Sequence, residues 1–292
     1  MTNIRSIESI IAPPAPHMVG DGFRVHSFFP GGRLIDKKRM SPFFLMDYGS
    51  KVDFSPSEHP RGVGVHPHRG FETVTIAYHG KIAHHDSAGN SGVIGEGDVQ
   101  WMTAASGLLH KEYHEEEFSR RGGLFQMVQL WVNLPAAYKM TPPKYQEITH
   151  ASMGRYVLPG DKGAIEVIAG NYKEVKGPAN TFTPMHVLNA RLNKGASIDF
   201  NFPSTYNTGL LVVEGKIAIG DQFVDTDHFA LMKNDGELIT IEATEDAIIL
   251  ILSGEPIDEP IAQYGPFLMN TWSEVEQAIQ DVSAGKFGVL EE

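Results

Sequence analysis

The chain reads as an all-β protein built from two β-rich halves and closed by one helix. Three observations predict this. Apolar residues recur at the two-residue period of strands through most of the 292 residues. Glycine (30) and proline (18) are plentiful, which suits many turns and short strands. Two segments, "TVTIAYHGKIA" and "GLLVVEGKIAI", also resemble each other: each sets an apolar strand ahead of a Gly-Lys-Ile turn. The third observation suggests an internal duplication.

In chain order, "VTIAYHGKIAHHDS" alternates Val74, Ile76 and Tyr78 on one parity and then turns at His79–Gly80. "GDVQWMTA" is a further short strand, and "GLFQMVQLWVNLP" a longer one ending at a proline. The proline-rich stretch that follows is read as a linker over 134–146. This divides the chain into domains at 1–134 and 135–292. Strands resume in "GAIEVIAG", "MHVLNARLNKGASIDFNF", "TGLLVVEGKIAIGD", "DHFALMK" and "AIILILSGEP". The last segment, "NTWSEVEQAIQDVSAGKFG", is helical. Val275, Ala278, Ile279 and Val282 form its apolar stripe, Ser273 and Glu276 a capping box, and Gly285 the stop.

Hydrophobic residues make up 41% of the chain, enough for packed cores. The net charge of -12 disfavours direct contact with nucleic acid. Cysteine is absent, so thiolate metal sites, disulfides and cysteine nucleophiles are excluded. With neither a signal-like N-terminus nor a membrane-length apolar run, the chain is expected to be cytoplasmic and monomeric, with no membrane partner.

The chemistry concentrates in "VGVHPHRGFETVTIAYHGK", residues 63–81, and in "LLHKEYH", residues 108–114. Residues i and i+2 of a strand face the same side, so His66 and His68 can reach one ion together. His110 and Glu112 repeat that spacing. Three imidazoles and one carboxylate suit Fe(II), Mn, Co, Ni, Cu or Zn and leave positions open on a six-coordinate ion. Glu72, four residues after His68, is a rival ligand or a group that orients a histidine. Against this stands the ease with which a His-x-His pair arises among 13 histidines. His79, His84 and His85 read as exposed turn residues, and His114 as a weak outside candidate. A by-eye register of the two halves sets His66 opposite Asn201, His68 opposite Pro203, His110 opposite Thr240 and Glu112 opposite Glu242. On that register the second half has lost three of the four candidate ligands.

The strings "HPHRGFETVT", "GDVQWMTAASGLLHKE" and "YGPFLMNTWSEVEQAIQDVSAGKFG" resemble the pirin family of the cupin superfamily. The likeness runs over nearly the whole chain. It implies a bicupin of two facing antiparallel β-barrels of jelly-roll type, with a C-terminal helix and metal in the N-terminal barrel only. It also implies one mononuclear divalent metal, Fe(II) above the others, held by His66, His68, His110 and Glu112, which leaves Glu72 beside the ligands. Thr103 departs from the proline common in the second cupin motif. The implied activity is that of a quercetin 2,3-dioxygenase: Glu112 takes the flavonol proton, dioxygen adds and carbon monoxide leaves. Phe71, Trp101 and Met102 are expected to wall the substrate pocket. The alternative is an iron-dependent, redox-responsive regulator that binds a transcription factor or a metabolic enzyme.

Overall fold

The structure is a computed structural model that describes residues 3–30 and 35–291. The first strands in chain order are β1 (Ile7–Ile11), β2 (His17–Val19), β3 (Phe23–Phe29), β4 (Phe43–Phe54), β5 (Gly62–His68), β6 (Phe71–His79), β7 (Ile82–Asp86) and β8 (Ser91–Ile94). Next come β9 (Val99–Thr103), β10 (Leu108–His114), a short helix α1 (Glu116–Arg121), β11 (Gly123–Asn133) and β12 (Lys144–Ile148). Then follow β13 (Gly154–Val157), β14 (Gly163–Ala169), β15 (Asn171–Tyr172), β16 (Val175–Lys176), β17 (Met185–Leu192), β18 (Ser197–Asn201) and β19 (Asn207–Glu214). The chain ends with β20 (Ile217–Ile219), β21 (Gln222–Val224), β22 (Phe229–Met232), β23 (Leu238–Ala243), β24 (Ala247–Gly254), β25 (Ala262–Tyr264), β26 (Phe267–Met269) and helix α2 (Trp272–Ser283). No helix among the described residues is long and apolar enough to cross a membrane.

Two compact units emerge. The N unit comprises Ala15–Pro30, Phe43–His150 and the chain from Ile257 onward. Its sheets run β12-β9-β6-β11-β4-β3-β2 and β5-β10-β7-β8. The C unit comprises the described parts of Met1–Pro14 and Gly31–Pro42, with Ala151–Pro256. Its sheets run β1-β22-β19-β24-β17-β14-β13 and β18-β23-β20-β21. The two strand orders are the same, which bears out the duplication. Each unit is a jelly-roll pair of sheets; the sheets do not join into one closed hydrogen-bonded barrel. Gly80 (φ 86) and Gly215 (φ 75) make the two corresponding turns, where only glycine adopts the left-handed backbone freely.

A single cut at 134/135 does not separate these units. β1 pairs with β22 of the C unit, and the buried Arg5 guanidinium beside it donates to the carbonyls of Gly236 and Pro203 and to Thr208. β12 pairs with β9 of the N unit, so the expected linker is in part a strand. The rest of that stretch is tied down by the buried Lys139, whose Nζ donates to Gly70 O, Asn133 Oδ1 and Leu268 O at 2.6–2.7 Å. Helix α2 belongs to the N unit, where it packs on β25 and β26. Its capping box is Thr271 with Glu274, two residues earlier than expected, and its buried residues are Val275, Ala278 and Asp281. Ile279 is exposed.

The interiors differ. One continuous cluster fills the C unit, with Ile198, Phe200, Ile239 and Ile241 facing inward. Asp199 and Thr240 pair with each other away from that core, so the by-eye register is one residue out of phase there. A one-residue slip exchanges the two faces of a strand. Ile198 pairs with Ile241 and Phe200 with Ile239, on strands matching those that pair His66 with His110 in the N unit. The N-unit interior instead includes buried polar side chains, among them Thr75, Gln100, His110 and Glu112.

Candidate metal centre

β5 and β10 are antiparallel neighbours, with His66 directly opposite His110 and His68 opposite Leu108. Strand parity turns His66, His68 and His110 to the same face. One ring nitrogen from each lies within 4.8 Å of the others. The three rings form a triangle with centroids 4.2–4.7 Å apart. A register shift between His110 and Glu112 interrupts the pairing with β5 and marks a bulge beside the site.

Protonation suits metal ligation. His68 and His110 are held well below the ordinary histidine value, first by burial and then by neighbouring imidazoles. Neutral imidazole keeps the lone pair a metal needs. His66 Nδ1 faces the Gly64 carbonyl at 2.8 Å, which leaves its Nε2 pointing at His68 Nε2, 3.1 Å away. Two imidazole nitrogens converging so closely, with both ring nitrogens of His110 buried and without a hydrogen-bond partner among the described residues, fit the binding of a cation.

Glu112 is not one of that tight group, but it lines the same cavity as His66 and His68. Its Oε1 accepts from Thr75 Oγ1 at 3.0 Å and its Oε2 from Gln129 Nε2 at 2.7 Å. Burial raises its pKa, opposed by the Gln129 amide, by His66 and by the Thr75 hydroxyl. The cavity measures about 350 Å³. Its polar lining is Asp47, His66, His68, Glu112 and Gln129, and its apolar walls include Phe23, Val25, Met127 and Trp131. That size and character suit a small organic ligand.

Glu72 stands apart from the histidines. The backbone breaks at Gly70 (φ 93) between β5 and β6, so parity counted from His68 does not carry into β6. Thr75, which touches Glu112, and Phe71, whose ring lies 5.0 Å from His68, share one face of β6. Glu72 occupies the other face. There its Oε1 accepts from Thr103 at 2.7 Å, and burial pushes the carboxyl up to about 7. Trp101, opposite Val74, lies on that same far face. Met102 packs with Ala104 and Leu108. None of Phe71, Trp101 and Met102 lines the cavity; Phe71 instead stacks on Trp131, which does.

Two histidines also depart from expectation. His84 is buried rather than exposed: it sits opposite Glu112 on β7, and its Nε2 meets the Tyr145 hydroxyl at 2.6 Å. His114 sits among Phe23, Phe54, Phe118 and Phe125, away from the other ligand candidates, with Nε2 on the Gly22 carbonyl at 2.8 Å. The cavity residues that sequence reasoning missed are Asp47, Gln129 and Trp131, together with Thr75 behind Glu112. Their signal is a polar residue inside an apolar strand, as in "FFLMDYGS" and "FQMVQLWV", where burial is costly unless something is bound or paired.

Comparison with known proteins agrees with this architecture. The Pirin family model matches residues 22–132, and the Pirin C-terminal cupin domain model matches residues 187–288. The chain is 49% identical to a Pseudomonas aeruginosa protein named "Putative quercetin 2,3-dioxygenase", over 93% of this chain and 94% of that one. It is 37% identical to a "Pirin-like protein" of Solanum lycopersicum, over 86% of this chain and 83% of that one. A crystal structure of an Acinetobacter baumannii quercetin 2,3-dioxygenase superposes with a TM-score of 0.93 at 44% identity, covering 99% of this chain and 100% of the other. With both family models matched in order and relatives alike over almost its full length, the chain belongs to the pirin family.

Proposed function

We propose that His66, His68, His110 and Glu112 hold one divalent metal, Fe(II) in the simplest case, and that the N unit is a dioxygenase cleaving a flavonol or related enol. The carrying observation is the triangle of converging imidazoles beside a cavity of about 350 Å³ with apolar walls. The names of the relatives support the same reaction. When bound, the metal would supply a Lewis acid for the enolate oxygen and a centre through which electrons reach dioxygen. Overall, flavonol and O₂ give a depside and carbon monoxide.

The chain's own residues do the rest. Glu112 takes the proton of the substrate hydroxyl, since its carboxylate lines the cavity beside His66 and His68. Thr75 and Gln129 fix the direction of its two oxygens, each of which keeps a lone pair free. Trp131, Met127 and Val25 offer flat and apolar contact to an aromatic ligand and keep water away. The redox-regulatory alternative is not favoured, because the histidine cluster opens into a cavity of small-molecule size.

The test is to load the protein in turn with Fe(II), Mn, Co, Ni and Cu, add quercetin under oxygen, and follow the flavonol absorbance. Turnover with at least one metal, abolished in His66→Ala and Glu112→Ala, is expected. Absence of turnover with every metal overturns the activity. Turnover that survives both substitutions overturns the site.

A further inference from the structure

Across the inner face of the seven-stranded sheet of the N unit runs a single row of polar side chains. Ser27 pairs with Asp47, Asp47 with Gln129, Gln129 with Thr75, and Thr75 with Gln100. Directly paired residues share a face, so all five point the same way. The middle of this row belongs to the site described above, since Gln129 and Thr75 hold Glu112. The Asp47 end has no role there.

Asp47 lines the cavity and is only 9% exposed. Among the described residues, Ser27 Oγ is the one group that hydrogen-bonds its carboxylate, on Oδ1. The Gln129 amide beside it is turned toward Thr75 and Glu112 and does not reach it. No lysine or arginine among the described residues forms an ion pair with it. A buried carboxylate so lightly partnered in an apolar-walled cavity is costly unless a ligand completes its hydrogen bonds.

The spacing says which part of a ligand it meets. Asp47 lies two strands from Thr75, about 10 Å at the ordinary distance between neighbouring strands. That exceeds the span of one phenol ring anchored beside Glu112. We propose that Asp47 is the specificity-determining acceptor of this cavity, taking a hydrogen bond from a hydroxyl at the far end of a polycyclic phenol. This rests on the reading of the cavity as a flavonol-type site. It narrows the substrate class to phenols that carry a second hydroxyl, remote from the enol. The ligand hydroxyl donates to Asp47 while the Ser27 hydroxyl keeps the other oxygen in place.

The experiment compares quercetin with 3-hydroxyflavone, which has the same skeleton without the remote hydroxyls. Equilibrium binding to the metal-loaded protein without oxygen is measured by isothermal titration, so turnover is not required. Wild type is expected to prefer quercetin, and Asp47→Ala to lose about ten-fold of that preference, read as the ratio of the two affinities. Asp47→Asn preserves the shape, guards against misfolding of the alanine variant, and is expected to lose part of the preference. An unchanged ratio in these variants, with both flavonols bound by wild type, overturns the proposal and leaves the flavonol reading standing. No binding of either flavonol to wild type overturns both.

Discussion

Asp281, on the C-terminal helix, accepts from Arg69 Nη1 at 2.9 Å, and Arg69 directly follows the ligand candidate His68. The guanidinium is 5% exposed, donates a further bond to Ser106 O at 2.7 Å, and lies 4.6 Å from the centre of the Phe287 ring. The last helix is thus fastened to the strand end that carries two of the three clustered histidines.

Removing that anchor has a defined outcome. Asp281→Ala strands a buried cation and should lower the melting temperature by several degrees, with a smaller loss in Asp281→Asn. Lys286, Arg69 and Gln277 all donate to Asp281, holding its carboxyl well below the usual range. A depressed carboxyl stabilises fully above the unfolded value of about 4 and loses that contribution as pH falls below it. The gap between wild type and Asp281→Ala in thermal melts should therefore narrow at low pH.

Glu112 depends on its two supports. Gln129→Leu removes the 2.7 Å donor, and Thr75→Val removes the hydroxyl while keeping the shape. Each should weaken metal binding by about ten-fold or more, as loss of a group that orients a ligand commonly does. A chelator-competition titration reads this directly. Unchanged affinity in both variants would separate Glu112 from the metal.

The far-face placement of Glu72 gives the opposite expectation. Its carboxyl is pushed up to about 7 by burial, so the fold favours the protonated form. The benefit is complete below the unfolded value of about 4.5 and is lost as pH rises through 7. Glu72→Gln should retain full metal content. At pH 8 it should exceed wild type in stability by up to about 3 kcal/mol, read from urea melts.

His84 sets a slope of the other sign. Burial lowers it to about 4, so the unfolded chain binds more protons between that value and 6.5. Stability then falls as pH drops through this window, by at most about 3 kcal/mol. His84→Gln can keep the contact with Tyr145 without titrating. Compared in the same metal-free state, its stability should decline less than that of wild type between pH 7 and pH 5.

What could be read from the sequence was whatever depended on local parity. His66 and His68 lie on one unbroken strand, as do His110 and Glu112, so their common faces follow from spacing alone. The Gly-Lys-Ile turns revealed the repeat for the same reason. Parity failed where the backbone is interrupted: Gly70 separates Glu72 from His68. It failed again where two halves were aligned without a fixed point, which exchanged Thr240 for its core-facing neighbours Ile239 and Ile241. Asp47, Gln129 and His84 were out of reach because cross-strand pairing joins residues far apart in the sequence: Asp47 and Gln129 are 82 positions apart (129 − 47).

The segmented make-up of the N unit governs the order in which a ribosome can deliver it. The candidate metal ligands have all been polymerised once Glu112 is added, yet β12 arrives later and the Asp281 that secures Arg69 follows Glu112 by 169 residues (281 − 112). The C unit, by contrast, receives its earliest strand, β1, at the outset and its last strand by Gly254. The C unit, which begins to emerge first, is therefore also the first to be completed, and the candidate ligands of the N unit gain their full surroundings only once β25, β26 and α2 have been made.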